Sequence, residues 1–422
     1  MTYIGRRELL AGAAGAVAVA AGAGGAQAVP AGGRGPARPG GGGGGGAAVR
    51  EFRGMWIATV TNLDWPSASG LTAREQRAQL TALLDTAVRR RLNAVVLQVR
   101  PAADSFWPSA REPWSQWLTG TQGKDPGWDP LGTAVTEAHA RGLELHAWFN
   151  PYRVANHTDP SRLAASHPAR RNPDWVVPYG GKLYYNPGLP QVRTFVQEAM
   201  LDAVSRYPVD GVHWDDYFYP YPVEGEYFDD DDAYAEYGGS FGTRAAWRRH
   251  NTDTLVSEMA QRLRQVRPAA RFGVSPFAVW RNRDTDPMGS PTRAGVQTYD
   301  DLYADTRKWV TEGWLDYIVP QAYWHIGHPQ ADYADIVPWW ARTVAGTGVD
   351  LYVGEALYRC DAESSTPAWR DPAELSKHLT FAKRYAEVRG HVYFSAKQVV
   401  ADPNGAMARV VADHYQSVAA PR

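Results

Sequence analysis

Two adjacent carboxylic acids, Asp215 and Asp216, are the residues whose types and spacing point most directly to chemistry. They end the segment Gly211–Asp216, which predicts a short buried strand. Because two like charges this close resist ionising together, one carboxyl should keep its proton near neutral pH. A protonated carboxyl beside an ionised one suits general acid catalysis and the stabilisation of positive charge, as in cleavage of a glycosidic bond.

A third carboxylic acid, Glu355, allows a different pairing, in which a strand-end aspartate is the acid and Glu355 the nucleophile. A separation of roughly 5 Å between the two carboxyls would favour a nucleophile, and roughly 6.5–9.5 Å would leave room for a water. The other interpretation of Glu355 is a supporting hydrogen-bonding residue. For the two aspartates it is an ion pair with Arg100 or Arg153.

The elements that must position these groups are eight short apolar segments that alternate with helical patterns after Arg50. The predicted strands are Arg53–Val60, Ala94–Arg100, Glu144–Asn150, Gly211–Asp216, Arg271–Phe277, Asp316–Trp324, Asp350–Tyr358 and His391–Lys397. The predicted helices are Ala73–Arg91, Pro130–Arg141, Val192–Tyr207, Thr243–Val266, Tyr299–Glu312, Ala331–Ala345, Ala373–Val388 and Ala406–Ser417. Eight such units predict one closed (β/α)₈ TIM barrel, and no glycine-rich nucleotide-binding motif follows the first strand.

On a (β/α)₈ barrel the carboxyl ends of the strands carry the site, so polar and aromatic side chains there are the candidate substrate contacts. These are Arg100, Trp148, Asn150, Tyr152, Arg153, His213, Tyr217, Trp280, Gln321, Tyr323 and Trp324. Packing in the core is the rival interpretation of each tryptophan. Asp104 and Glu112, in the loop after the second strand, are weaker candidates, for which a solvated loop position is the default.

The amino terminus predicts export. Residues 1–28 carry Arg6 and Arg7, then an apolar Ala/Gly-rich stretch and a small-residue cleavage site, in the order of a twin-arginine-like signal peptide. The stretch is too short and too poor in Leu, Ile and Phe for a membrane anchor, so we expect a secreted or cell-envelope protein without stable membrane insertion. Residues 29–50 are Gly- and Pro-rich and predict a flexible linker, and residues 51–422 form the barrel.

The amino-acid composition limits the kinds of partner that the chain is expected to bind. The chain has 44 Lys and Arg against 45 Asp and Glu, so no net field concentrates nucleic acid. Its 17 Trp and 22 Tyr exceed what a core of this size requires, and such rings can stack on sugars, which favours a polysaccharide substrate.

Metal and cofactor chemistry find no support in the sequence. The single cysteine, Cys360, excludes a Cys-rich metal site, and His139, His146 and His157 lack zinc spacing. We therefore predict no catalytic metal and no cofactor. The acidic run Asp229–Asp232 could hold calcium, although a hydrated loop is more common and no EF-hand spacing is present.

Several motifs resemble those of the glycosyl hydrolase-like family 10. They are Phe52–Trp56, Leu92–Pro101, Ala147–Arg153, Asp210–Pro220 and Gly273–Phe277, and the similarity extends from Glu51 to the carboxyl terminus. The resemblance implies a barrel hydrolase acting on bacterial cell-wall glycan, and some members resemble enzymes that cut peptidoglycan strands stripped of their stem peptides. A non-catalytic carbohydrate-binding barrel and a hydrolase of another polysaccharide are the alternatives.

The aspartate pair at the end of the fourth predicted strand is also similar to the pair in glycoside hydrolase family 84, where the substrate's own N-acetyl group is the nucleophile. This similarity implies that Asp215 orients the acetamide and Asp216 is the general acid. Tyr323 would then donate a hydrogen bond to the acetamide oxygen.

Overall fold

The computed structural model describes residues 50–420, which contain eleven strands and fourteen α-helices. The strands are β1 (Phe52–Ile57), β2 (Ala94–Arg100), β3 (Glu144–Phe149), β4 (Arg153–Ala155), β5 (Val176–Tyr179), β6 (Lys182–Tyr185), β7 (Gly211–Trp214), β8 (Arg271–Val274), β9 (Tyr317–Ile318), β10 (Asp350–Glu355) and β11 (Val388–Tyr393). The helices are α1 (Ala73–Arg89), α2 (Gln116–Thr119), α3 (Pro130–His139), α4 (Pro168–Arg171), α5 (Pro190–Arg206), α6 (Asp231–Tyr237), α7 (Arg244–Val266), α8 (Thr298–Asp301), α9 (Thr306–Thr311), α10 (Tyr333–Val344), α11 (Pro367–Arg370), α12 (Glu374–Ala382), α13 (Ala396–Ala401) and α14 (Ala406–His414).

Eight of the strands close into one parallel barrel in the order β1-β11-β10-β9-β8-β7-β3-β2. The seam closes where Phe52 pairs with Gly390 on one side of β1 and Gly54 pairs with Ala94 on the other. Helices lie between successive barrel strands along the chain. The predicted single (β/α)₈ barrel is therefore confirmed.

The barrel interior holds a hydrogen-bonded column of polar rings. The Tyr317 hydroxyl lies 2.7 Å from Nδ1 of His146 and 3.1 Å from Nδ1 of His213. Trp56 Nε1 donates to Nε2 of His213 across 3.2 Å. A Cβ on Gly273 would lie 2.1 Å from the Tyr317 ring, so the column needs glycine at that position. This interior is a packed core, as is usual for barrels of eight strands.

A small antiparallel sheet, β4-β6-β5, follows β3 and was not among the predicted elements. Its hairpin turns at Gly180 and Gly181, whose φ angles of 58° and 72° suit a tight two-residue turn. The Gly-Gly pair between two runs of aromatic and β-branched residues is a hairpin signal that was present in the sequence.

The element boundaries differ from prediction where local chemistry overrides the pattern. The strand Ala94–Arg100 is as predicted, whereas Asp316–Trp324 shortens to β9, since Pro320 has no N–H to donate to a ladder. The helix Tyr299–Glu312 divides into α8 and α9 around Tyr303, whose φ is 51°. The helix Ala373–Val388 ends at Ala382, and β11 begins at Val388.

The predicted signal peptide, residues 1–28, and linker residues 29–49 lie outside the described residues. Within residues 50–420, no helix has the length and apolar character needed to cross a bilayer.

Candidate active site

Asp215 is the centre of the site and is held by donors from two strands. It follows β7 directly and is 2% exposed. Trp148 Nε1 donates to Oδ2 across 3.0 Å, and Asn150 Nδ2 donates to the same oxygen across 3.0 Å. The backbone N–H of Tyr217 donates to Oδ1 across 3.2 Å. These donors fix the carboxyl plane and favour its ionised form.

The pKa of Asp215 is nevertheless raised to about 6. Burial is the largest cause, and the neighbouring charge of Asp216 adds to it. Arg153, the Asn150 amide and the Tyr217 N–H oppose the rise. Asp215 therefore changes protonation close to neutral pH, as suits a group in acid–base chemistry.

Asp216 is also 2% exposed and accepts a hydrogen bond from the Tyr221 hydroxyl. Tyr221 belongs to a row of partly exposed rings beside the aspartates. Its ring centroid is 5.7 Å from that of Tyr217 and 6.3 Å from that of Phe277, which lies 5.4 Å from Trp324. We call Tyr217, Tyr221, Phe277 and Trp324 the ring row. Its partly exposed faces could stack on sugars.

The sequence analysis did not single out Tyr221 or Phe277 for the site. Phe277 ends a predicted strand, so the strand-end rule contained its signal. Tyr221 lies five residues beyond Asp216 in a loop, and only the loop's path brings its hydroxyl back to the carboxyl.

Three further predicted contacts lie near this pair or at neighbouring strand ends. Arg153 is 7% exposed, and its guanidinium carbon lies 4.4 Å from the centre of the Tyr217 ring. Gln321 donates from Nε2 to the Ser275 carbonyl across 2.7 Å. Tyr323 is 8% exposed, and its ring centroid lies 5.7 Å from that of Tyr358.

Glu355 does not fit the role of nucleophile, which corrects the second pairing considered above. It is fully buried, and its carboxylate lies 2.8 Å from Nδ1 of His378, 3.0 Å from Nδ1 of His391 and 3.0 Å from the Tyr333 hydroxyl. Burial pushes its pKa upward, but the charges and hydrogen bonds of the two histidines outweigh burial and lower it to about 2. Because Tyr333 and His378 lie on α10 and α12, Glu355 points into the helix layer, where it is a supporting residue.

Four other predicted substrate contacts are buried among other side chains of the protein. Arg100 is fully buried in an ion pair with Glu112, and His213 belongs to the interior column. Tyr152 is fully buried in the main core, where burial raises its pKa. Trp280 donates to Asp305 across 2.9 Å and stacks on Trp339. Strand-end position alone could not separate side chains that face the mouth from those that face the helices.

Asp104 and Glu112 are not solvated, contrary to the default expectation for a loop. Asp104 is fully buried, and Glu112 is 5% exposed. The pKa of Asp104 is raised to about 7, first by burial and also by the charge of Glu112, against a hydrogen bond from Ser115. Both carboxyls belong to the packed base of the loop after β2.

In the acidic run Asp229–Asp232, arginines occupy the buried carboxylate. Asp230 is 1% exposed, and its Oδ1 lies 2.9 Å from Nη1 of Arg244 and 2.6 Å from Nη2 of Arg248. Across residues 50–420, no group of three or more His, Cys, Asp and Glu side chains is arranged to hold a metal ion. Cys360 is buried, and burial raises the pKa of its thiol.

Comparisons with known proteins identify the family of this chain. The family described as glycosyl hydrolase-like 10 matches residues 51–371. Glycosyl hydrolase YngK of Bacillus subtilis (strain 168) is 46% identical over 372 residues, which cover 88% of this chain and 73% of the relative. Glycosyl hydrolase DigH of Escherichia coli (strain K12) is 41% identical over 362 residues, which cover 81% of this chain and 82% of the relative.

Among solved structures, the glycoside hydrolase domain of PgaB (BpsB) from Bordetella bronchiseptica has a similar fold. The TM-score is 0.55 at 12% identity, and the match covers 87% of this chain and all of that domain. At this identity the likeness concerns the fold alone. The motifs, the barrel and the two close relatives agree, and the chain belongs to the glycosyl hydrolase-like 10 family as a glycoside hydrolase.

Proposed function

We propose that this chain is an exported enzyme that cleaves glycosidic bonds in N-acetylated bacterial cell-wall glycan, namely peptidoglycan strands without stem peptides. The observation that carries the proposal is the buried pair Asp215–Asp216 beside the ring row. With a pKa of about 6, Asp215 is mostly ionised at neutral pH and can accept a hydrogen bond from a substrate, and partly exposed rings can bind sugars. The substrate is suggested by the resemblance to the glycosyl hydrolase-like 10 family, some members of which resemble enzymes that cut stripped peptidoglycan strands.

In this proposal the acetamide oxygen of the substrate attacks the anomeric carbon as the glycosidic bond breaks. Water then opens the resulting oxazolinium ion, which restores the acetamide and leaves a reducing end. Asp215, fixed by Trp148 and Asn150, accepts the acetamide N–H in its ionised form. Asp216 donates a proton to the leaving oxygen. Because like charges this close repel, the pair resists losing both protons, which keeps a proton available for the leaving oxygen. Activity should therefore rise with pH through about 6, as Asp215 ionises.

Release of reducing ends from purified peptidoglycan strands tests this proposal. We expect the wild-type protein to release reducing ends, and D216N to lose at least roughly 10²-fold in kcat. D229N is the matched control, since Asp229 is an exposed carboxyl in the same insertion, and it should keep wild-type activity. An active D216N, or an inactive wild type, would contradict the proposal.

A substrate panel separates the proposed substrate from other polysaccharides. Glycan without N-acetyl groups should not be cleaved, because the internal nucleophile is missing. Strands that keep their stem peptides should be poorer substrates than stripped strands. Comparable turnover of plain glucans would favour a hydrolase of another polysaccharide, with a nucleophile from the protein.

Export rests on the sequence of residues 1–28 and has its own test. Replacing Arg6 and Arg7 by lysine in the full chain keeps the charge but removes the arginine pair of a twin-arginine signal. We expect the variant to stay in the cytoplasm of a bacterial host, while the wild-type chain reaches the envelope or medium. Equal export of both chains would argue against the twin-arginine route.

A further inference from the structure

A buried ion pair lies beneath the loop after β2. Arg100 and Glu112 both have fully buried side chains, and they meet in a bidentate contact. Nε of Arg100 donates to Oε2 of Glu112 across 2.7 Å, and Nη2 donates to Oε1 across 2.6 Å. Such a contact fixes the plane of the guanidinium.

The third guanidinium nitrogen reaches the end of β3. Nη1 of Arg100 donates to the carbonyl of Asn150, and it donates to the carbonyl of Pro151 across 3.0 Å. The Asn150 N–H in turn donates to the Arg100 carbonyl across 2.9 Å. The Asn150–Pro151 backbone is therefore held by Arg100 on both sides of Asn150, by the guanidinium at the two carbonyls and by the Arg100 backbone carbonyl at the Asn150 N–H.

The side chain of Asn150 carries this constraint to Asp215. Its Oδ1 accepts the Arg153 N–H across 2.8 Å, which fixes the orientation of the amide. Its Nδ2 then donates to both oxygens of Asp215, across 3.2 Å and 3.0 Å. Glu112 is thus joined to Asp215 by direct contacts through Arg100 and Asn150 alone.

We propose that Glu112 is a positioning residue for this enzyme: by holding Arg100, it fixes Asn150 and thereby the orientation of the Asp215 carboxyl. The inference depends on the proposed function only in assigning Asp215 to the reaction. A purely structural ion pair would also be costly to break, because removal of one partner leaves a buried charge. The two roles differ in what happens at Asp215, so the test measures Asp215 itself.

The test uses E112Q, with R100K as a second variant that keeps the positive charge but loses the fork. We expect either change to lower kcat by roughly ten- to a hundredfold with KM within about twofold, since a misplaced catalytic group slows the chemical step more than binding. The pKa of Asp215 should rise, because the Asn150 amide lowers it. Carbon-13 NMR of labelled aspartate carboxyls follows this pKa without turnover, and D215N assigns the signal.

D230N is the matched control, since Asp230 forms another buried bidentate ion pair, with Arg248 at 2.8 Å and 2.6 Å. It should lower thermal stability and leave the pKa of Asp215 unchanged. A double-mutant cycle identifies the route: if Glu112 acts through Asn150, E112Q should lower kcat much less in an N150A background than in the wild type.

An unchanged Asp215 pKa in both folded E112Q and folded R100K would overturn the inference, as would full additivity with N150A or an equal pKa shift in D230N. If the wild-type protein fails to cleave glycan but E112Q still shifts the Asp215 signal, the proposed function fails while the positioning role stands.

Discussion

The indole N–H of Trp148 meets Oδ2 of Asp215 across 3.0 Å, from β3 to the end of the adjacent strand β7. A tryptophan at a sugar-cleaving site is commonly taken for a stacking platform. Here Trp148 is 7% exposed, and its polar edge is engaged by the carboxyl. Its main role is therefore to hold Asp215.

Replacing Trp148 by phenylalanine should lower kcat about tenfold or more, because a hydrogen bond to a charged group is lost while most of the ring remains. The pKa of Asp215 should rise above about 6, since a donor to its ionised form is missing. The acid limb of the pH–kcat profile would then move to higher pH. Trp280→Phe is the control: it removes an indole donor to Asp305 rather than to Asp215, and should leave the profile unchanged.

Asp215 should make the stability of the wild-type protein depend on pH in a defined direction. Its folded-state pKa of about 6 exceeds the ordinary value of 3.8, so the folded protein binds more protons between these values. Its contribution to the free energy of unfolding is thus fully present below about pH 4 and is lost as pH rises through about 6. As pH rises between those limits, the free energy of unfolding of D215N should increase relative to that of wild type by on the order of 1–3 kcal/mol. Chemical denaturation at several pH values measures the difference, and a constant difference would contradict the shift.

Glu355 should change the stability of the protein with pH in the opposite direction. Its pKa of about 2 lies below the ordinary 4.5, so its contribution is present above pH 4.5 and is lost as pH falls through about 2. At neutral pH, E355Q should be destabilised by about 3–5 kcal/mol, because His378 and His391 lose their carboxylate. Well below its unfolding temperature it should keep wild-type kcat, as measured by reducing-end release. A folded but inactive E355Q would restore Glu355 as a catalytic candidate.

The ring row should govern binding rather than chemistry. Trp324→Ala should raise the KM for oligosaccharide roughly tenfold with little change in kcat, because a partly exposed ring that stacks on sugar contributes mainly to affinity. Trp175 is a partly buried tryptophan that packs on Phe195 at 5.4 Å and is not part of the ring row, so it serves as control. If Trp175→Ala raised KM equally, the effect would be one of general packing.

The barrel could be predicted from the sequence, because eight short apolar runs between helical patterns are compatible with few other folds. The sequence singled out Asp215 and Asp216 as candidates because two adjacent acids at a predicted strand end are chemically distinctive. The hairpin of β5 and β6 was overlooked although Gly180-Gly181 signalled it.

The sequence could not show which side chains of each strand face the barrel interior and which face the helices. Strands buried on both sides read as continuous apolar runs, so the pattern does not show which alternate set enters the barrel. In β10, Gly354 approaches Trp56 inside the barrel, which turns Glu355 outward to the helices. In β2, an irregular register between Gln98 and Arg100 changes the alternation just before the ion pair with Glu112. The directions of the Arg100 and Glu355 side chains thus follow from a strand phase that only the closed barrel determines.

Gly273 has a structural role because its missing side chain leaves space for the Tyr317 ring. Tyr317 fills that space and joins β9 to the histidines of β3 and β7, the two strands that lead directly to Asn150 and Asp215. A single methyl group at Gly273 would push the phenol aside and loosen three strands at once. A position without a side chain thus helps to shape this part of the barrel, and a search restricted to reactive groups would pass over it.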